Sequence, residues 1–169
     1  VLSMQQEVAR SIASSIRVAL TPTEKAILTE AFRVNPKVHD LYLRGRYHWN
    51  KRLPEDLTKS IEYFESAIAL DPRFAPAYAA IAEVYIVIAN WGYAAPRETY
   101  ARAKQNAEKA IEIDSKLSGA WASLGEVEEY LNFNWGEAER LFRKAIELNP
   151  IYSTSHLWYA MYLSDAGRR

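Results

Sequence analysis

The feature that most constrains this chain is the stretch from Trp121 to Pro150, in which two amphipathic helical patterns follow one another. The first pattern places Trp121, Leu124 and Gly125 on one face of a helix. The second pattern has the same periodicity and runs through Ala138, Leu141, Phe142, Ala145 and Ile146. Two helix backbones approach closely only where side chains are small, so Gly125 and Ala145 predict tight packing between the two helices. Pro150 ends the second helix.

This order of residues resembles the tetratricopeptide repeat (TPR), a unit of two antiparallel helices. The family pattern is a large apolar residue, Leu-Gly three positions on, then Ala, Phe, Ala and Pro. It is matched by Trp121, Leu124, Gly125, Ala138, Phe142, Ala145 and Pro150. One position departs from it, because Glu128 stands where the family has Tyr. The resemblance implies an all-α fold, a right-handed α-solenoid of antiparallel helix pairs in which each pair buries its apolar face on the next.

The same pattern recurs along the chain and divides it into two regions. Residues 38–169 contain about three and a half repeats, the last of them incomplete. Residues 1–37 are predicted to form an N-terminal helical segment, the end of a preceding domain or a linker, because apolar residues recur there at mostly helical spacing. The middle repeat is atypical: Ala107 replaces the usual aromatic residue, and surplus residues between Ile88 and Tyr100 predict longer helices or an elaborated loop.

A second resemblance lies in residues 4–9, 20–22 and 42–47, with the sequences MQQEVA, LTP and YLRGRY. They resemble the junction in bacterial multidomain regulators where a TolB-like or adenylate-cyclase-associated domain, or the layout of a CadC-like regulator, passes into a repeat tail. The resemblance implies a piece of a larger regulatory protein. Its compartment is expected to be the cytoplasm, or the periplasm if the parent is CadC-like. The start at Val1 rather than Met agrees with this expectation.

Composition and motifs argue against several functional classes. Lys plus Arg and Asp plus Glu number 21 each, so net charge does not favour nucleic acid or an anionic membrane as a partner. The sequence has no cysteine, and His39, His48 and His156 lack the spacing of metal ligands. The apolar segment 75–95 is interrupted by Glu83, which disfavours a membrane span. No catalytic residue, cofactor, metal site, nucleic-acid contact or membrane insertion is therefore predicted.

The remaining basis for function is the shape that the repeat resemblance implies. In this family the first helix of each pair lines a concave groove, where peptides bind. The corresponding positions here form the predicted partner-binding groove: Tyr42, Arg46, Trp49, Asn50, Glu83, Glu126, Glu129, Tyr130, Leu157 and Met161. The family's carboxylate clamp is not reproduced, because Glu83 and Glu126 stand where neutral or basic groups would be needed.

The charges of these positions predict an acidic groove. Glu126 and Glu129 share a helix face and are expected to be solvated. Acids on one concave surface reinforce each other, so the groove should favour an extended segment in which Lys or Arg is flanked by apolar residues.

Two functional hypotheses of different class stay open. The first is a non-catalytic protein–protein interaction module that binds a peptide or partner protein. The second is a structural or sensory spacer that regulates an attached adenylate cyclase, kinase or DNA-binding domain. Leu157, Tyr159, Met161 and Leu163 in the final helix would lack a covering neighbour, which predicts self-association through that face.

Overall fold

A computed structural model describes residues 35–167, which form seven α-helices and no strand. The helices are α1 (Pro36–Lys51), α2 (Pro54–Leu70), α3 (Ala75–Asn90), α4 (Pro96–Ile113), α5 (Ser118–Tyr130), α6 (Trp135–Leu148) and α7 (Ser153–Asp165). The chain pairs α1 with α2, α3 with α4 and α5 with α6, and α7 is the first helix of an incomplete fourth unit. The all-helical prediction is confirmed for this part of the chain. Nearly all of the predicted N-terminal segment lies outside the described residues.

Local sequence sets where the helices begin. Pro36, Pro54, Pro76 and Pro96 stand in the first turns of α1 to α4, where a residue without an N–H loses no helical hydrogen bond. Asn35 also caps α1, since its side-chain oxygen accepts a 3.0 Å hydrogen bond from the second residue after it. Pro54 is itself the first residue of α2.

The second helices end in one recurring turn. Asp71, Asp114 and Asn149 follow α2, α4 and α6, and each side-chain oxygen accepts a hydrogen bond from the backbone N–H two residues on, at 3.0, 2.9 and 3.3 Å. This Asx turn needs no proline. The middle repeat therefore closes in the same way although Ser115 replaces the family's Pro.

Close helix packing within each pair depends on complementary side-chain sizes. A Cβ built on Gly125 would lie 2.7 Å from Phe142 Cε1, so the phenyl ring of α6 rests directly on the α5 backbone. Gly45 and the ring of Phe64 repeat this arrangement in the first pair. The predicted tight contact at Gly125 is confirmed. In the middle pair Ala82 occupies the glycine position and lies in one core cluster with Ala107, so the larger small residue is matched by a smaller partner.

The helices form two layers. The first helices α1, α3, α5 and α7 contact one another in succession, whereas α2, α4 and α6 each pack on the first helix of their own pair and on that of the next. A first helix inside the array therefore has neighbours on several sides, and α3 and α5 are buried over most of their length. None of the helices within residues 35–167 has both the length and the apolar character needed to cross a membrane.

Candidate functional site

A small pocket of about 170 Å³, called the concave pocket below, lies on the layer of first helices. Tyr42 and Arg46 of α1 and Glu83 of α3 line it, together with Lys116 before α5 and Tyr152 before α7. The first three were predicted groove residues, and the structure brings them together.

Glu83 is the centre of a hydrogen-bonded network in this pocket. The Arg46 Nη1 donates to Glu83 Oε2 at 2.9 Å, and the Tyr152 hydroxyl donates to Oε1 at 2.5 Å. The carboxylate fits because Gly119 has no side chain: a Cβ there would overlap Oε1. Only 2% of Glu83 is exposed, so both of its oxygens depend on these donors.

The network keeps its charges and protons in place. Burial alone would lower the pKa of Arg46, but Glu83 and the neighbouring Tyr152 and Tyr42 together more than offset this effect, so the pKa is raised and the guanidinium stays charged. Burial and the charge of Glu83 raise the pKa of Tyr152, which therefore retains the proton that it donates. Arg46 remains partly exposed at the pocket.

A second arginine stands beside this network. The Arg52 guanidinium lies 3.5 Å from the ring centroid of Trp49, and the Arg46 guanidinium lies 5.8 Å from the same ring. Arg52 can take this position because it ends α1 in the left-handed conformation, at φ 61°. Trp49 is buried and supports the arginines rather than lining open groove.

The prediction of an acidic groove is wrong for this pocket. Glu83 is buried and paired, whereas Arg46 and Lys116 contribute the charges that solvent can reach. The sequence pattern placed Glu83 on the correct face but could not reveal its partners. The charges that solvent can reach in this pocket are therefore cationic.

Glu126 and Glu129 are also not solvated, contrary to the prediction. They are 0% and 1% exposed, and the helix that carries them, α5, contacts both α3 and α7. Asn90 Nδ2 donates to Glu126 Oε2 at 2.8 Å, but Glu126 Oε1 and both oxygens of Glu129 have no hydrogen-bond partner among the described residues. Burial raises the pKa of Glu126 to about 8 and, with the nearby charge of Asp165, that of Glu129 to about 7.

The surroundings of these two carboxyl groups contain no compensating cation in the described part of the chain. α3, α5 and α7 end close to them, and none of the three helices has a basic residue in its last turn. Helix C-termini carry partial negative charge, which further disfavours ionised carboxylates there. Tyr130, another predicted groove residue, donates to Asp165 Oδ2 at 2.7 Å and stacks on Tyr100 with centroids 6.0 Å apart.

The remaining predicted residues do not join the pocket. Asn50 is exposed near the end of α1. Leu157 and Met161 on α7 are 58% and 39% exposed and form an uncovered apolar face. The ten predicted residues thus divide into the pocket with its supporting Trp49, the buried group around Glu126, the α7 face, and Asn50. Use of these residues by a partner stays a prediction.

Sequence reasoning missed four residues in or beside the pocket. Tyr152 lies 69 residues from Glu83 in sequence, and no local pattern links the two. Arg52 depends on its left-handed backbone conformation, and Lys116 lies in a turn. Gly119 carried a usable signal, since a glycine in the first turn of a helix is unusual unless something approaches it closely.

The described residues hold no group of three or more His, Asp or Glu side chains that could bind a metal ion. His48 has a structural role: its Nδ1 lies 2.6 Å from Asp56 Oδ1, and its ring stacks on Tyr63.

Solved structures share this fold at low sequence identity. The TPR domain of Arabidopsis OM64 matches with a TM-score of 0.58 at 21% identity, over 76% of this chain and 96% of that one. The Sgt2 TPR domain from Aspergillus fumigatus gives 0.60 at 18%, covering 79% and 81%. The first TPR of Spaghetti (RPAP3), bound to the HSP90 peptide SRMEEVD, gives 0.58 at 14%, covering 78% and 94%. The predicted right-handed TPR superhelix is confirmed.

Among curated proteins, the chain is similar to the transcriptional regulator HilA of Salmonella typhimurium, with 27% identity over 128 residues. HilA of Salmonella typhi gives the same values. The match covers 76% of this chain but only 23% of HilA, so the chain spans less than a quarter of the length of these relatives. No protein-family model matches the sequence.

Proposed function

We propose that this TPR array is a non-catalytic protein-interaction module whose concave pocket binds a peptide segment of a partner, within a larger bacterial regulatory protein. The observation that carries the proposal is the Arg46–Glu83–Tyr152 network, in which residues from distant parts of the chain hold a charged guanidinium at an open surface. In solved structures of this fold, the first TPR of Spaghetti (RPAP3) is bound to an HSP90 peptide, and the second TPR domain of human RPAP3 is in complex with an HSP70 peptide. Both complexes support a peptide site on this fold.

The chemistry of the pocket favours an acidic segment. A guanidinium has five N–H donors, and the hydrogen bond to Glu83 uses only one nitrogen of Arg46. The remaining donors suit a carboxylate of the partner, and Lys116 adds a second positive charge at the rim. A basic segment would meet like charges here.

The test is selection of binding peptides from a random displayed library on the full 169-residue chain. Enriched peptides should include a group that contains Asp or Glu, and Lys116→Glu should weaken the binding of this group about tenfold, chiefly through slower association. Lys109→Glu is the matched control, because Lys109 is an exposed lysine on α4 outside the pocket. Failure to enrich any peptide, or equal loss in both variants, would refute the proposal.

A second candidate is a structural or sensory spacer that regulates an attached domain. It is favoured by the similarity to a transcriptional regulator of which this chain spans only 23%. In the intact protein, replacement of the array by an unrelated helical repeat of similar length would preserve regulation by a spacer. Loss of regulation, reproduced by Lys116→Glu alone, would instead favour the interaction module.

A further inference from the structure

A second groove lies on the opposite side of the array, between α2 and α4. It encloses about 420 Å³, a size typical of ligand pockets, and is called the outer groove below. Its floor consists of the half-buried side chains of Ile61, Tyr85 and Ile88. The floor is open because α2 and α4 each pack on α3 and leave part of it uncovered between them.

The rim of the outer groove is acidic. Glu62 and Glu65 on α2 and Glu98 on α4 line it, and all three are exposed. None of these carboxylates makes an ion pair within residues 35–167. Four of the six exposed acids elsewhere among the described residues pair with a basic residue of the same helix, namely Asp40, Glu108, Glu112 and Glu147, whereas Glu55 and Asp165 make no ion pair. Three exposed acids without an ion pair therefore lie around one apolar floor.

One cation of the chain itself already occupies part of this groove. The Arg102 guanidinium lies 5.8 Å from the Tyr85 ring centroid, and its Nη1 donates to the Tyr85 hydroxyl at 3.4 Å. This hydrogen bond and the charges of Glu98 and Glu65 raise the pKa of Arg102. The groove thus favours a cation that lies above the face of an aromatic ring and is flanked by carboxylates.

Exposed aromatic rings extend the surface at one end. The loop whose Ala94 and Ala95 line the groove also carries Trp91 and Tyr93, whose rings are half-exposed and meet edge to face at 5.8 Å. Three backbone hydrogen bonds hold this loop against the end of α3. Trp and Tyr on a fixed loop are residues that dominate binding energy in protein interfaces.

From these contacts we propose that the outer groove binds a segment of a partner protein in which Arg or Lys stands beside bulky apolar residues. The apolar side chains of the partner segment pack on Ile61 and Ile88, and its basic groups pair with Glu62, Glu65 and Glu98. Three carboxylates face one resident cation, so the groove has an excess of negative charge for a partner to balance. This site is independent of the concave pocket and has the opposite charge preference.

The test uses a displayed peptide library that combines Arg or Lys with Leu, Ile, Phe and Trp, selected on the full chain. The tightest peptide is synthesised with a fluorescent label, and its Kd is measured by anisotropy. Reversal of the rim by Glu62→Lys, Glu65→Lys and Glu98→Lys together should weaken binding by about tenfold or more, with the difference fading at high salt. Trp91→Ala should also weaken binding.

Two control variants distinguish the outer groove from the concave pocket and from general surface charge. Glu112→Lys changes an exposed acid outside the groove and should leave Kd unchanged. Lys116→Glu, in the concave pocket, should not weaken binding either. If Lys116→Glu weakens binding while the rim reversal has no effect, the proposal for the outer groove is wrong and the concave pocket is the peptide site. Circular dichroism verifies that each variant folds. Failure to select any peptide also overturns the proposal. A dimer in sedimentation that dissociates on rim reversal overturns it too, because the occupant of the outer groove is then a second copy of this chain.

Discussion

Glu126 and Glu129 should make this protein less stable as the pH rises towards neutrality. Both carboxyl groups are buried where α3, α5 and α7 end, and three of their four oxygens lack a hydrogen-bond partner in the described chain. Replacing Glu126 by Gln removes the titration while keeping size and an oxygen that can accept from Asn90. We therefore expect Glu126→Gln to be more stable than wild type at pH 7.5.

The sign and size follow from linkage. The pKa of Glu126 is raised to about 8 in the folded chain, against about 4.3 for an ordinary Glu, so between these values the folded state holds a proton that the unfolded state has lost. The stabilisation is complete below about pH 4.3, declines from there to about pH 8, and is then absent. One proton corresponds to about 1.4 kcal/mol per pH unit, or about 3 kcal/mol between pH 5.5 and 7.5.

Urea unfolding followed by circular dichroism at pH 5.5, 6.5 and 7.5 measures this difference directly. The free energy of unfolding of wild type should fall by about 3 kcal/mol more than that of Glu126→Gln over the range. Ionisable groups that both proteins share cancel in the comparison. Glu128→Gln, on the same helix but outside the buried group, should keep the wild-type profile. Parallel profiles for wild type and Glu126→Gln would refute the reasoning, since they would mean that Glu126 is ionised in the fold.

Three other predictions concern packing, the pocket and the last helix. Gly125→Ala should lower the free energy of unfolding by roughly 1–2 kcal/mol in urea titration, because the new Cβ overlaps the ring of Phe142. Gly136→Ala is the control: a Cβ there meets no neighbouring side chain within 4 Å, so the free energy of unfolding should rise by up to about 1 kcal/mol. Gly119→Ala should displace the buried carboxylate of the concave pocket and weaken acidic-peptide binding in anisotropy; an unchanged Kd would contradict the network. Sedimentation velocity should show concentration-dependent dimers that Leu157→Lys with Met161→Lys abolishes, and a dimer that persists would place the contact elsewhere.

Much of the fold was predictable because its determinants are local. Helical periodicity identified the helices, and prolines and Asx turns fixed many of their ends. The small residue Gly125 indicated where the helices of a pair touch. Its contact proved to be the ring of Phe142, a residue of the same motif. Even the atypical middle repeat follows this rule, because Ala107 is matched by Ala82 one helix away.

The site depended on contacts that no local pattern encodes. Periodicity assigns each helix one apolar face, and Glu126 and Glu129 lie outside that face, so they were predicted to be solvated. In the array α5 has neighbours on several sides, and both carboxyl groups are buried among them. Glu83 likewise takes its partners from α1 and from Tyr152, 69 residues away. The sequence thus determined which helices form and pair, whereas stacking of the pairs decided which charges solvent can reach, because burial of a polar group depends on helices distant in sequence.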